Sequence, residues 1–321
     1  MRVVALAGGV GGAKLADGLA RAVGAASLAV IVNTADDFEL FGLRICPDLD
    51  TVLYTLAGLA NAATGWGVAG DAFTALELLE RYGEPGWFQI GDRDLATHVA
   101  RTHLLAAGQT LTGATARLAR ALGVASALLP MTDAPVATLI ETADGVLGFQ
   151  DYFVRRHQVD TVRAVRFDGI ERAEVPAGVR TALAAADLIV FCPSNPIVSI
   201  GPILAVPGMR EALREAPARR VAVSPIVGGR ALRGPADRML ASLGHEVSPL
   251  GVARLYQDVL DGFVVDAADA GQRAAIEALG LRVLVTDAVM RTFEDRRRLA
   301  SEMVEFGQRL PPPSAMKEAT S

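Results

Sequence analysis

The sequence predicts an α/β protein: a doubly wound, mostly parallel, Rossmann-like sheet carrying a large, mainly helical insertion. Three observations predict it. Short apolar runs alternate with helix-patterned stretches at both ends of the chain, as in a parallel sheet covered by helices on both faces. Most runs break off into a polar turn, and in such a sheet these turns share one edge. The first turn is a glycine run, Gly8-Gly9-Val10-Gly11-Gly12-Ala13-Lys14, directly after the apolar Val3-Val4-Ala5-Leu6-Ala7.

Taken in order, the expected sheet strands are Val3–Ala7, Leu28–Val32, Leu188–Phe191 and residues 220–223, 262–265 and 281–285. Helical patterns fall at 13–23, 235–243, 271–279 and 292–310. Between the early and late strands the pattern changes. Residues 50–60, 71–82, 94–107 and 112–122 read as helices, and 131–166 is strand-rich, with candidates at 136–141 and 146–154. The expectation is one domain over residues 1–310 with an insertion at about 50–166. The proline-rich tail, 311–321, is expected to be disordered.

Composition excludes several classes. The 321 residues are 51% hydrophobic, yet no apolar run approaches the roughly 18 residues of a membrane span. Met1-Arg2 passes straight into the first strand, leaving no signal-like segment, so a cytoplasmic location is expected. A net charge of −5 argues against a general nucleic-acid binder. Cys46 and Cys192 are too few for a disulfide framework, and four histidines without a CxxC pair do not suggest structural zinc.

The glycine run presents backbone N–H groups to a ligand, which favours an anion such as a phosphate. Its spacing matches neither common fingerprint. Lys14 stands where a dinucleotide motif needs its third glycine, and Ala13 separates Gly12 from Lys14 where a Walker A loop needs Gly-Lys. A tight turn that binds nothing is the bland alternative. The later turns are Asn33-Thr34-Ala35-Asp36-Asp37, Cys192-Pro193-Ser194-Asn195-Pro196 and Ser224-Pro225-Ile226. Their convergence on one edge is stronger evidence for a site than any single turn.

Asp36, Asp37, Asp48 and Asp50 put four carboxylates near that edge, a set suited to Mg²⁺ beside a phosphate. Taken singly, Asp48 or Asp50 also reads as a helix cap. Gly91-Asp92-Arg93-Asp94 opens a helix on which Asp94, Thr97, His98 and Arg101 share a face. Arg93 and the neighbouring amides suit a phosphate or polyhydroxyl ligand, and a capped helix with an Asp94–His98 pair is the plain alternative. Trp66 and Trp87 sit in glycine-rich loops, where packing is the first reading and stacking on a planar ring the second. No Ser-His-Asp or Cys-His arrangement stands out, so nothing favours covalent catalysis.

Together these strings resemble one family, the 2-phospho-L-lactate transferases of coenzyme F420 biosynthesis, called phosphoenolpyruvate transferases in actinobacteria. The resemblance is carried by the glycine run, Asn33–Asp37, Cys46-Pro47-Asp48-Leu49-Asp50-Thr51-Val52-Leu53-Tyr54 and Gly91-Asp92-Arg93-Asp94-Leu95-Ala96-Thr97-His98. It continues through Leu129-Pro130-Met131-Thr132-Asp133, Phe149-Gln150, the stretch from Pro193 to Ile203, and Ser224-Pro225-Ile226. It implies transfer of a phospho-linked three-carbon acid from a guanosine diphosphate ester to the ribityl hydroxyl of the deazaflavin FO, releasing GMP. It also implies Mg²⁺ as cofactor and a homodimer.

Combined with the residue reading, the resemblance makes Asp36 and Asp50 the catalytic and metal-binding pair. Gly9, Gly11, Gly12 and Lys14 would hold the diphosphate, with Asn33 and Asp37 beside them. Asp50 and the Gly91–Asp94 loop, with Asp92 and Arg93, would face FO, and Ser194, Asn195 and Ser224 the guanosine. The motif leaves open whether Asp48 or Asp50 touches metal. Two other readings stay in play: a nucleotide-sugar-binding regulator of the gluconeogenesis-factor type, and an NAD(P)-dependent oxidoreductase, weakened by Lys14.

Overall fold

A computed structural model describes residues 1–311, so all but the first residue of the expected tail lies outside the described residues. In chain order the first elements are β1 (Val3–Ala7), α1 (Gly9–Val23), β2 (Leu28–Val32), β3 (Phe38–Leu40) and β4 (Leu43–Ile45). Four helices follow: α2 (Pro47–Leu56), α3 (Thr74–Arg81), α4 (Asp92–Ala106) and α5 (Leu111–Ala121). Next come β5 (Ala127–Pro130), β6 (Ala137–Thr142), β7 (Gly145–Gly148) and β8 (Ala164–Asp168). The C-terminal half starts with α6 (Ala177–Ala184), β9 (Leu188–Phe191), α7 (Ile200–Ala205) and α8 (Met209–Glu215). It then runs through β10 (Arg219–Val223), β11 (Ile226–Val227), β12 (Arg230–Ala231), α9 (Ala236–Ser242) and α10 (Pro249–Tyr256). The last elements are β13 (Gly262–Asp266), α11 (Arg273–Glu277), β14 (Arg282–Thr286) and α12 (Phe293–Arg309).

Seven strands form one sheet in the order β5-β2-β1-β9-β10-β13-β14, and every pairing is parallel. Counted along the chain, that order is 3-2-1-4-5-6-7, so the strand sequence reverses between β1 and β9. Such a switch point opens a crevice at the carboxyl ends of the strands. All five residues of β1 and all four of β9 are buried, because helices cover both faces. Val4, Leu6, Ile189 and Phe191 serve the core on one face; Val3, Ala5, Ala7 and Val190 serve the other, with Leu15 and Leu19 of α1 and Met303 of α12. The alternation follows from the two-residue repeat of a strand.

Three local readings change, and one hairpin was not read at all. The glycine run is not a loop ahead of a helix starting at residue 13. Its residues from Gly9 on form the first turn of α1, with Gly8 as an extended N-cap. The inserted region is not one block, because β5 returns from it to extend the main sheet beside β2. Residues 146–154 are not a single strand: β7 stops at Gly148, and 151–155 form a turn of π-helix. The short β3–β4 hairpin had no clear sequence signal. The C-terminal helix does start where expected, because the Thr292 hydroxyl accepts from Asp295 N while the Asp295 carboxylate accepts from Thr292 N. No helix among the described residues is long and apolar enough to cross a membrane.

Candidate functional site

A cleft of about 730 Å³ lies along the carboxyl edge of the sheet, over the switch point. Its floor is the β1–α1 turn. Gly8 is held from both sides: its N–H donates to Ser194 Oγ (3.1 Å), and its carbonyl accepts from the same hydroxyl (2.8 Å). Close packing explains the small residues. A Cβ on Gly11 would strike the Pro193 carbonyl, and one on Gly12 would sit 2.6 Å from Ser194 Oγ. The Gly9 N–H donates to Asp48 Oδ1 at 2.8 Å. Helix geometry leaves the next amides, of Val10 and Gly11, without intrahelical acceptors at the cleft wall.

Asp48 is the junction of the site. It lies in the first turn of α2, accepts the Gly9 amide, and takes a second bond from Asn33 Nδ2 at 3.0 Å. Burial pushes its carboxyl up to about 6, against the pull of those two donors. Asp36 is buried beside it. Burial first and the Asp48 charge second hold the Asp36 carboxyl well above the usual range. Among the described residues Asp36 Oδ1 has no hydrogen-bond partner. Two buried carboxyl groups that face a cleft, both raised by burial and one with an orphaned oxygen, are a donor set for a hard divalent cation.

Asp50 is different. Both its oxygens are taken by Arg101, which is 1% exposed, and His98 Nδ1 stands 3.6 Å from Oδ2. His98 Nε2 in turn lies 3.3 Å from Asp94 Oδ1, which also accepts from Tyr54 OH at 2.7 Å. Asp50, Asp94 and His98 offer three ligand atoms within 4.8 Å of one another, but Arg101 already neutralises Asp50. The Asp94–His98 pairing expected from helical spacing is present. Phe149 and Phe153 stack at 5.3 Å on another part of the wall.

The structure brings Gly9, Gly11, Lys14, Asp36, Asp50, Ser194, Asn195 and Ser224 to this one cleft. It does not bring the remaining candidates to its surface. Gly12 lies behind the turn against Ala7. Asn33 is fully buried and positions Asp48, with a second bond to the Val198 carbonyl. Asp37 is buried against Arg44, and burial raises it to about 7. Asp92 accepts the Ala75 amide, while the exposed Arg93 donates to the Ala69 carbonyl. The amides opening α4 are already spoken for, since the Asp71 carboxylate accepts from both Arg93 N and Asp94 N.

Sequence reasoning missed Asp71 and Arg233, and gave Arg101 no role beyond its helix face. Only Arg101 carried a signal, its place three residues after His98. Ser224 turns its hydroxyl onto Ile226, donating to its carbonyl and accepting its amide. Trp87 packs on Phe38 and Phe88, as the packing reading expected, whereas Trp66 lines the cleft.

Comparison with known proteins shows the family and the fold. The chain is 45% identical to a phosphoenolpyruvate transferase of Streptomyces griseus, covering 96% of this chain and 99% of that one. It is 41% identical to a 2-phospho-L-lactate transferase of Methanosarcina acetivorans, covering 94% and 98%. A crystal structure of a UPF0052 family member from Bacillus halodurans shares the fold, with a TM-score of 0.66 at 16% identity over 94% of this chain and 98% of that one. Residues 3–299 match the family model described as 2-phospho-L-lactate transferase CofD, and the chain belongs to that family.

Proposed function

We propose that the protein moves a phospho-linked three-carbon acid from a guanosine diphosphate ester to the ribityl hydroxyl of FO in coenzyme F420 biosynthesis. The acceptor oxygen forms a bond to the phosphorus bearing the acid, the bond from that phosphorus to the bridging oxygen breaks, and GMP leaves. The observation that carries the reading is one cleft in which the open first turn of α1 lies beside buried carboxyl groups. Phosphoryl transfer asks for placement and charge stabilisation rather than a covalent nucleophile. In this reading the amides of α1 and Lys14 hold the diphosphate, Asn195 and Ser224 face the guanosine, and Asp50 is the catalytic carboxylate that orients the attacking hydroxyl.

Mg²⁺ belongs to the same proposal. The orphaned oxygen of Asp36 and the raised pKa of both Asp36 and Asp48 support these two as its ligands. Asp50, occupied by Arg101, is the poorer of the two candidates left open by the motif. Bound there, the ion would neutralise charge on the diphosphate. Two buried, unpaired thiols suit a reducing cytoplasm, and a homodimer is proposed from the resemblance alone.

The test is reaction of the pure protein with FO, Mg²⁺ and the lactyl, enolpyruvyl and glyceryl diphosphoguanosine donors, read by product mass. One donor is expected to give the FO phosphodiester and GMP. No mass gain on FO with any donor overturns the reading.

A further inference from the structure

Arg233 lines the cleft but belongs neither to the glycine turn nor to the carboxylate end. It follows β12 directly, in a segment flanked by Gly229 before that strand and Gly234 after it, both at positive φ. From there it reaches across to donate to the Thr64 carbonyl. Its guanidinium lies against Gly65, where any Cβ would collide with it.

The 61–67 loop that it holds is a self-contained turn. Asn61 N donates to Gly67 O (3.1 Å), Gly65 N to Asn61 O (2.8 Å), and Thr64 Oγ1 to Trp66 O (2.6 Å). That loop carries Trp66, which lines the cleft and is 43% exposed. Arg233 is therefore a tie between two loops on the rim.

Lys14 lies in the same cleft, and among the described residues no carboxylate pairs with either cation. Burial first, then the nearby Arg296 and Arg233 charges, lower the Lys14 pKa. Arg296 has Asp17 at 3.1 Å as partner. Two unneutralised cations held near each other in an acidic protein are stabilised by an anion between them. An arginine has five N–H donors, and Thr64 occupies one, so the fork remains open for an oxyanion.

We propose that Arg233 is a positioning residue that grips the anionic group of the ligand together with Lys14 and, through Thr64, links that grip to the placement of Trp66. This rests on the reading that the cleft accepts a diphosphate ester. Because one guanidinium serves both contacts, filling the anion site changes the surroundings of Trp66 without touching the indole.

The test uses the full chain in a Trp87→Phe background, which leaves Trp66 as the sole tryptophan, and inorganic pyrophosphate as the probe. Pyrophosphate is expected to change Trp66 emission saturably. Arg233→Ala, at an exposed position, should weaken pyrophosphate binding in calorimetry by about tenfold, the cost of a lost charge-assisted hydrogen bond, and abolish the emission response. Gly65→Ala displaces the guanidinium but keeps its charge, so it should lose the emission response while still binding pyrophosphate. An unchanged affinity in Arg233→Ala, an emission response that survives it, or no response in the parent overturns the proposal. Transfer to FO by the unmodified protein is measured alongside. Its presence with any of those results removes the Arg233 assignment alone, and its absence removes the functional reading.

Discussion

Arg101 holds both carboxylate oxygens of Asp50 from a position sealed off from solvent, and it also donates to the Arg44 carbonyl at 3.4 Å. A buried pair of this kind costs little net free energy while intact and a great deal when halved. Removing one partner strands a charge in the interior, at a cost of about 3–5 kcal/mol. Arg101→Met and Asp50→Asn should therefore each lower urea-unfolding stability by about that much, and the double variant should cost clearly less than their sum. Additive losses would show that the two side chains do not act as a pair. The same geometry means that inactivity of Asp50→Asn has to be compared with its own unfolding curve.

Asp36 offers the cleaner separation of chemistry from folding. Its raised pKa shows that its charge is disfavoured where it sits, by burial and by Asp48. Asp36→Asn removes that unfavourable charge, so stability should hold or rise. Transfer should fall by about 10²–10³-fold, the scale set by losing one charge-stabilising group in an active site. The rise in melting temperature that the proposal expects of Mg²⁺ in the parent should be missing too. Wild-type transfer rates in this variant would remove Asp36 from the catalytic set.

A pH dependence follows from Asp37 and Asp48, raised by burial to about 7 and about 6 from an ordinary value near 3.8. Between those limits the folded chain keeps protons that the unfolded chain has released. The unfolded state then binds fewer protons, so unfolding free energy falls as pH rises from about 4 to about 7 and levels off above. In Asp48→Asn the fall should be shallower, and in saturating Mg²⁺ shallower still. Chemical unfolding at a series of pH values, with EDTA and with Mg²⁺, reads this directly. A metal-free stability that climbs across the window would contradict the burial of these carboxyls.

The sheet was legible because its strands are nearly continuous apolar runs that end in polar turns; β1, β2 and β9 match the expected bounds to the residue. β5 was not legible. Its Ala127-Leu128-Leu129-Pro130 is short and ends in proline, tolerable here because β5 is an edge strand. In the site, the residues that face the cleft were visible as motif letters, but their division of labour was not. Asn33 and Asp48 are both polar and adjacent to the same turn, yet only the packing shows that one positions the other. Asp71 and Arg233 act through backbone groups far along the chain, Asp71 on the start of α4 and Arg233 on Thr64, and no local spacing encodes that.

The glycine turn gives a prediction in which packing and binding can be ranked against each other. At Gly11 a methyl group would meet the backbone carbonyl of Pro193, which cannot yield without moving the β9 end of the cleft. At Gly12 it would meet the Ser194 hydroxyl at 2.6 Å and the Ala7 side chain at 3.0 Å, and the hydroxyl can rotate away. Overpacking of this type costs about 1–3 kcal/mol. Gly11→Ala should therefore lie at or beyond the upper end and Gly12→Ala near the lower. Rotation of Ser194 is not free, because that hydroxyl holds both the N–H and the carbonyl of Gly8. Gly12→Ala should thus keep most of its stability yet lose much of the thermal shift expected from GDP with Mg²⁺ in the parent, since the released turn no longer presents its amides in register. Equal GDP shifts in Gly12→Ala and the parent would mean that the Ser194–Gly8 bonds do not set the anion site.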